Sequence, residues 1–335
     1  MAARIKDVAQ HAGVSTATVS HVINKTRYVS QEVEKKVKQA MEELNYTPNL
    51  VARSLRNKKS SIIGLIVPIK NNDNSNHFFM SIANGIESVL KSSGYHLLLS
   101  NSQENYKEEI RCIKMFNTQN IDGLIIAPAD GKPYCKEEGI FGDYPIVFLD
   151  RKPKSETKIG DFIASDNFEG AYNGVKALLE KGYTRIGFIS GGLGLTSVDE
   201  RLEGYKRALE DHGILLDDSL VCNAEGNPDN GYECSRKLIA EQAVDALFVA
   251  NNNFGKGSIT YIRNSGIAVP DQLGLIVYDD YEWTEVMDPP LSVIKQQTLQ
   301  MGRRAAEIMM SRIQNPDKPY EEYLLPAELI VRKSF

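Results

Sequence analysis

The segment GVSTATVSHVINKTRYVS, residues 13–30, is dominated by small and β-branched residues and contains one histidine and no acidic residue. Gly13 can adopt the positive φ that a sharp turn between two helices requires, so it predicts the end of one helix. Ser15 is a favourable N-cap for a second helix over about residues 16–24. The segment therefore predicts a turn followed by a short helix with a surface of small side chains.

Two further helices are predicted beside this segment. Apolar residues at positions 5, 8, 9 and 12 follow the spacing of one helix face and predict a helix over residues 5–12. A third helix is predicted over about residues 31–45, and its apolar stripe is Val33, Val37, Ala40, Met41 and Leu44. Three short helices joined by a glycine turn predict a helix-turn-helix unit.

The second helix has two different faces. Val19 and Ile23 fall on the side that packs inward, whereas Ala17 and His21 lie opposite and Thr16 stands in the exposed first turn. Small side chains allow a helix to approach the floor of a DNA major groove, and acidic ones would be repelled by phosphate. The alternative is that residues 1–47 form a small helical bundle that binds protein.

The next stretch, TPNLVARSLRNKKSS, begins with Pro48 and predicts a linker. Residues 49–56 are compatible with a helix but too few to form a stable one alone, so we expect the linker to order on binding. It carries several cations and one apolar residue, Leu55. That leucine either wedges into a minor groove or docks on the body of the protein, and the linker alone favours neither.

Charge is distributed unevenly. The chain has a net charge of −5, but residues 1–60 hold 11 Lys or Arg against 5 Asp or Glu, and the remainder holds 28 against 39. A basic N-terminal segment followed by an acidic remainder indicates that only the N-terminal segment binds phosphate groups. The four scattered cysteines predict neither a zinc site nor a disulfide framework, and no apolar run is long enough to span a membrane. We therefore expect a protein of the cytoplasm without a metal.

The body alternates short apolar strands with helices. Seven strands are predicted, among them SIIGLIVP, PIVFLD and LGLIVYDD, with helices near 79–93, 106–119, 169–182, 199–213, 229–242, 254–266 and 298–313. This alternation predicts an α/β fold with two doubly wound lobes of parallel sheet. The expected division is a helix-turn-helix domain at 1–47, a hinge helix at 48–60, an N-terminal lobe at 61–160 and 294–322, and a C-terminal lobe at 161–293 and 323–335.

Polar residues follow several of the predicted strands, where ligands bind in such sheets. They are Asp150, Arg151, Asp166, Asn167, Asn251, Asn252, Asp279 and Asp280. As a set, carboxylates and amides suit a ligand with several hydroxyl groups, and Phe78 and Phe79 could face the apolar side of a sugar ring. For any single one of them, ordinary turn chemistry is the simpler explanation.

Enzyme motifs are not evident. The richest glycine stretch has Gly192 and Gly194 but Ser197 where a third glycine of a dinucleotide fingerprint would fall, and P-loop, HExxH and GxSxG motifs do not occur. We expect no catalytic residue and no cofactor.

The order IKDVAQHAGVSTATVSHVINKTRYVS…NYTPNLVARSL resembles the LacI/GalR family of bacterial transcription regulators. The resemblance implies that Thr16, Ala17 and His21 read base edges and that Leu55 inserts at the operator centre. It implies further DNA contacts at Asn24, Lys25, Asn49, Ala52 and Arg53. TVSHVINKTR is most similar to the purine and ribose repressors, since many members have Arg in place of His21, and Arg grips guanine with two bonds where imidazole offers one.

The same resemblance gives the body the fold of a periplasmic sugar-binding protein. It implies effector contacts at Phe78, Phe79, Asp150, Asn251 and Asp279, and Arg201 matches a recurrent arginine of the family. Asp199 departs from the arginine of several sugar-binding members. Arg151 either meets a carboxylate or phosphate of the ligand or pairs with a neighbouring acid.

The sequence therefore predicts a repressor of carbohydrate genes that binds a palindromic operator in double-stranded DNA as a homodimer. A sugar, sugar acid or sugar phosphate in the cleft between the lobes controls it. The alternative is control by a phosphocarrier protein partner in place of a sugar.

Overall fold

The computed structural model describes residues 3–24, 27–46, 60–70, 75–129, 134, 139–154 and 158–335. The chain divides into two compact units, residues 1–60 and 61–335. Within the described ranges, no helix is both long and apolar enough to cross a bilayer.

The first unit contains the three predicted helices, α1 (Ile5–His11), α2 (Thr16–Asn24) and α3 (Gln31–Glu43). Their core is formed by Val8, Ala9, Val19, Val37 and Ala40. Gly13 has a φ of +66°, and the Ser15 hydroxyl accepts a hydrogen bond of 3.0 Å from the backbone N–H of Thr18. The turn and the N-cap therefore form as the sequence predicts, although α1 and α3 end one and two residues earlier than expected.

The second unit is built on two six-stranded sheets. The first sheet contains β1 (Ile62–Val67), β2 (His96–Asn101), β3 (Gly123–Ile126), β4 (Ile146–Leu149), β5 (Asp161–Ser165) and β11 (Glu322–Leu325). The second contains β6 (Ile186–Ser190), β7 (Val221–Asn223), β8 (Ala246–Val249), β9 (Gly274–Tyr278), β10 (Ser292–Lys295) and β12 (Glu328–Ile330). Their orders are β11-β5-β4-β3-β1-β2 and β12-β10-β9-β8-β6-β7. All neighbours are parallel except β10 and β12.

Helices cover both faces of each sheet, as alternating strands and helices require. They are α4 (Ser75–Ser92), α5 (Tyr106–Thr118), α6 (Asn167–Glu180), α7 (Thr196–Asp211), α8 (Pro228–Arg236), α9 (Asn252–Asn264), α10 (Glu282–Glu285) and α11 (Thr298–Gln314). α4 and α11 share one core with the first sheet, in which Ile82 and Met301 are fully buried. They approach so closely that a Cβ added to Gly302 would collide with the backbone carbonyl of Ile82.

The expected lobe boundaries are corrected by the strand pairing. β5 pairs with β4, so residues 161–165 belong to the first lobe and the boundary at 160 is wrong. Likewise, β10 extends the second sheet to Lys295, and β11 keeps residues 322–325 in the first. The reason is that β5, β7, β10, β11 and β12 are short strands that the sequence analysis did not predict.

The expectation that the cysteines form no disulfide is wrong for one pair. Cys222 of β7 and Cys234 of α8 are bonded, with 5.9 Å between their Cα atoms. The two cysteines are 12 residues apart in sequence, one in the strand and one in the helix that follows it. Cys112 is a free, buried thiol.

Candidate functional site

A cavity of about 440 Å³ lies at the carboxyl ends of strands from both sheets. All seven residues predicted as effector contacts line it. The full set of predicted residues is Phe78, Phe79, Asp150, Arg151, Arg201, Asn251 and Asp279. The structure therefore brings all of the predicted residues together at one site. If these residues served only to form turns at separate strand ends, they would not need to lie together.

Two buried aspartates line the cavity. Asp150 follows β4 and Asp279 follows β9, and both have positive φ, 65° and 75°. Such a backbone conformation is unfavourable for a residue with a Cβ and clusters at functional sites. Burial raises the pKa of both carboxyl groups. The side-chain amide of Gln296 donates a hydrogen bond of 2.7 Å to Asp279 Oδ1.

Arg201 projects from α7 and is 7% exposed. Its Nε donates to Asn167 Oδ1 at 2.9 Å and its Nη1 to the carbonyl of Ala250 at 2.7 Å. The guanidinium carbon lies 3.6 Å from the centre of the Tyr278 ring, a cation–π contact. Its charge lowers the pKa of both cavity aspartates and so offsets part of the cost of burying them.

Arg151 pairs with a neighbouring acid. Its Nη1 donates to Glu104 Oε1 at 2.6 Å and to the carbonyl of Pro128 at 3.1 Å. The third cation among the described lining residues, Lys70, lies 3.0 Å from Glu225 Oε1. Of the two alternatives left open for Arg151, the structure therefore shows the pairing with an acid.

Phe78 and Phe79 both line the cavity. Phe78 and Phe79 are 8% and 3% exposed, and their rings meet edge to face with centroids 5.1 Å apart. Asn251 has a second role, because its side chain accepts a hydrogen bond from the backbone N–H of Asn253 and caps α9.

Three of the polar residues predicted at the strand ends form contacts within the protein. Asp166 caps α6 by accepting from the backbone N–H of Glu169, and Asp280 pairs with Arg332 at 2.8 Å. The side-chain oxygen of Asn167 accepts the hydrogen bond from Arg201 Nε described above.

Glu104 and Gln296 line the cavity, and the sequence analysis did not find either. Gln296 comes directly after β10, whose four residues were not predicted as a strand, so its position at a strand end was not visible. Glu104 lies five residues before Glu109 in a tight turn after β2 and has a φ of +56°. Neither residue type in its local sequence carries a signal that distinguishes it from a surface position.

Four of the predicted DNA contacts, Thr16, Ala17, His21 and Asn24, lie on α2. Thr16 and Ala17 are exposed and His21 is half-buried. Asn24 ends α2. The other predicted DNA contacts, Lys25, Asn49, Ala52, Arg53 and Leu55, lie outside the described residues. In the described part of the chain, no group of three or more His, Cys, Asp or Glu side chains could hold a metal ion.

A helix-turn-helix unit with small exposed side chains, followed in the same chain by two parallel-sheet lobes around a polar cavity, defines a DNA-binding transcription regulator. Residues 4–49 match the model of bacterial regulatory proteins of the lacI family, and residues 175–335 match that of a periplasmic binding protein-like domain. The chain belongs to the LacI family, as the sequence analysis predicted.

Relatives support this assignment along the whole chain. The HTH-type transcriptional repressor PurR of Haemophilus influenzae (strain PittEE) is 35% identical over 340 residues, which cover 99% of this chain and 98% of that protein. The lac repressor dimer bound to operator and the anti-inducer ONPF has a TM-score of 0.85 and 27% identity, covering 100% and 99% of the two chains. CelR in complex with cellobiose has a TM-score of 0.74 and 27% identity, covering 99% and 100%. The protein is accordingly a DNA-binding transcriptional repressor and not an enzyme.

Proposed function

We propose that this repressor controls genes of carbohydrate metabolism. It acts in the cytoplasm, where it binds a pseudo-palindromic operator as a homodimer, and a sugar or sugar derivative in the cavity sets its affinity for DNA. Two copies are needed because each helix-turn-helix unit reads one half-site, about one helical turn from the other.

The observation that carries the proposal is the pair of buried aspartates beside two phenylalanine rings. A carboxylate accepts hydrogen bonds from neighbouring hydroxyl groups, and an aromatic ring covers the apolar face of a sugar. The complex of CelR with cellobiose supports the same class of ligand. The relative named PurR is 35% identical over 99% of this chain, but that identity leaves the ligand of this chain to be decided by its own cavity.

Contacts between the lobes suggest how a ligand acts. Lys70 of the first lobe pairs with Glu225 of the second, and the backbone N–H of Lys152 donates to the Thr196 hydroxyl at 2.9 Å. A ligand held by Asp150 and Asp279 contacts both lobes at once and therefore favours one relative arrangement of them. Coupling of this kind between two sites is typically about 1–3 kcal/mol.

A thermal-shift screen of the full-length protein tests the proposal. The screen contains pentoses, hexoses, disaccharides, sugar acids, sugar phosphates and purines, and operator binding is then measured with and without each hit. We expect one carbohydrate to raise the melting temperature and to change operator affinity. A shift with purines alone contradicts the carbohydrate assignment. No shift with any compound contradicts control by a small ligand and favours the phosphocarrier alternative.

A further inference from the structure

A second cavity of about 460 Å³ adjoins the first. Phe78, Asn252, Asp279, Tyr281 and Gln296 line both cavities. Because the same five side chains face both spaces, they form the junction between them. The two spaces are each large enough for a small organic ligand, for which pockets of roughly 300–1,000 Å³ are usual.

Two buried acceptors at the junction need donors. Asn252 is 4% exposed and Gln296 is 8% exposed. No group of the described residues donates a hydrogen bond to Asn252 Oδ1 or to Gln296 Oε1. A buried acceptor left in this state is destabilising, so both atoms are suited to receive hydroxyl donors from a ligand. Because Asn252 and Gln296 line both cavities, a ligand that extends from one cavity into the other passes both acceptors.

The second cavity adds aromatic surface to this polar junction. Tyr281 and Trp283 line it together with His77 and Phe78. The rings of His77 and Tyr281, from different lobes, lie 5.7 Å apart. An aromatic lining beside hydroxyl-accepting groups is the arrangement that a second sugar ring would use, since a sugar offers an apolar face and a polar rim.

The charges of the first cavity disfavour an anionic ligand. Lys70, Arg151 and Arg201 each contact an acceptor of the protein itself, namely Glu225, Glu104 and the pair formed by Asn167 and Ala250. Asp150 and Asp279 stand in the same space. A sugar acid or sugar phosphate would place its negative charge beside two carboxylates whose neighbouring cations are already engaged.

We propose that the ligand is an uncharged disaccharide whose two rings occupy the two cavities, with hydroxyl groups donating to Asn252 and Gln296 at the junction. This inference rests on the function proposed above and narrows its ligand from sugars, sugar acids and sugar phosphates to one class.

Trp283 is the only tryptophan of the chain, so its fluorescence reports on the second cavity directly. Full-length protein is titrated with cellobiose, maltose, lactose, trehalose, sucrose and melibiose, and with glucose, galactose, mannose, ribose, gluconate and glucose 6-phosphate. Calorimetry gives each dissociation constant, and tryptophan emission is recorded in parallel. We expect a disaccharide to bind most tightly and to change the emission of Trp283.

Variants separate contact from general destabilisation. Trp283→Ala should weaken binding of the disaccharide about tenfold, corresponding to ~1.4 kcal/mol, and leave the affinity for its component monosaccharide unchanged. Trp283→Phe should restore most of the loss, which distinguishes a ring contact from a folding defect. Tyr320→Ala removes an exposed aromatic residue that lines neither cavity and should bind as the wild type does.

The possible results separate the two proposals. If a monosaccharide, gluconate or glucose 6-phosphate binds most tightly, the proposal of a disaccharide ligand is overturned. The proposal of a sugar-controlled repressor then still holds. Equal loss of mono- and disaccharide binding in Trp283→Ala, without rescue by Phe, also overturns it. Failure of every compound to bind contradicts both.

Discussion

Glu109 of α5 is a fully buried carboxylate near the cavity residue Arg151, and its ionisation should contribute to the pH dependence of stability. Tyr134 Oη donates to it at 2.5 Å and the backbone N–H of Ala129 at 2.6 Å. Ala129 follows Pro128, whose carbonyl accepts from the cavity residue Arg151. Burial raises the pKa of Glu109 from 4.5 to about 7, because the two hydrogen bonds and the charge of Arg151 offset only part of the desolvation.

The sign follows from comparing the folded and unfolded states. The folded-state pKa is the higher one, so the folded protein holds this proton more tightly and loses stability as pH rises from about 4.5 through about 7. A change of the pKa from 4.5 to about 7 corresponds to about 3 kcal/mol in total. Most of it, about 2 kcal/mol, should be lost between about pH 5 and about pH 8.

Glu109→Gln removes the ionisation and should flatten this dependence. The free energy of unfolding is measured by urea denaturation at both pH values for wild type, Glu109→Gln and Glu108→Gln. Glu108 is the control, because it lies next in sequence on the same helix but is half-exposed and pairs with Arg111. The variant itself loses one acceptor, so only the difference between the two pH values is diagnostic. If wild type and Glu109→Gln lose equal stability from the lower to the higher pH, the carboxylate is not ionising in the folded protein as argued.

Three further predictions concern the ligand and the DNA. Asp279→Ala should weaken binding of the ligand found in the screen by roughly tenfold to a hundredfold, since it removes a charged acceptor, while operator affinity without ligand stays unchanged. Calorimetry measures the ligand affinity and fluorescence anisotropy measures the operator affinity. Unchanged ligand affinity would exclude Asp279 from the site. His21→Arg should change the operator bases preferred in a randomised-operator selection, because Arg offers guanine two donors; an identical preference removes His21 from base readout. Leu55→Ala should weaken operator binding at least about tenfold and leave the ligand's dissociation constant as it was; equal operator affinity refutes the wedge.

The sequence was most informative where one physical rule decides the local structure. Gly13 had to end a helix because the turn requires positive φ, and Ser15 had to cap the next one, and both are observed. The apolar period of α3 likewise placed Val37 and Ala40 in the core. The strong β-branched runs predicted seven strands, since short runs rich in β-branched residues are typical of the buried strands of parallel sheets.

Prediction failed where tertiary pairing, and not local sequence, makes a strand. β5, β10 and β11 have four or five residues each and become strands because a neighbouring strand offers its backbone groups. Missing them displaced the lobe boundaries. It also hid Gln296, because a residue is recognised at a strand end only when the strand is known. The disulfide between Cys222 and Cys234 was missed for the same reason, as it joins β7, which was not predicted, to the helix that follows it.

The position of Gln296 gives a physical reason why a ligand in the cavity would control the repressor as proposed. It lies between β10 of the second sheet and α11 of the first lobe, on a segment that crosses from one lobe to the other, and it donates to Asp279. The contacts that join the lobes without ligand include the partly exposed pair Lys70 and Glu225, and such pairs typically contribute only about 0.2–1 kcal/mol. A ligand can shift a conformational equilibrium only by the difference in its affinity for the two states. A molecule that forms hydrogen bonds with Gln296, Asp150 and Asp279 together would contact both lobes, so its affinity would differ between the two relative arrangements of the lobes. Because the contacts that join the lobes without ligand are weak, this difference in affinity would be enough to determine which arrangement the lobes adopt.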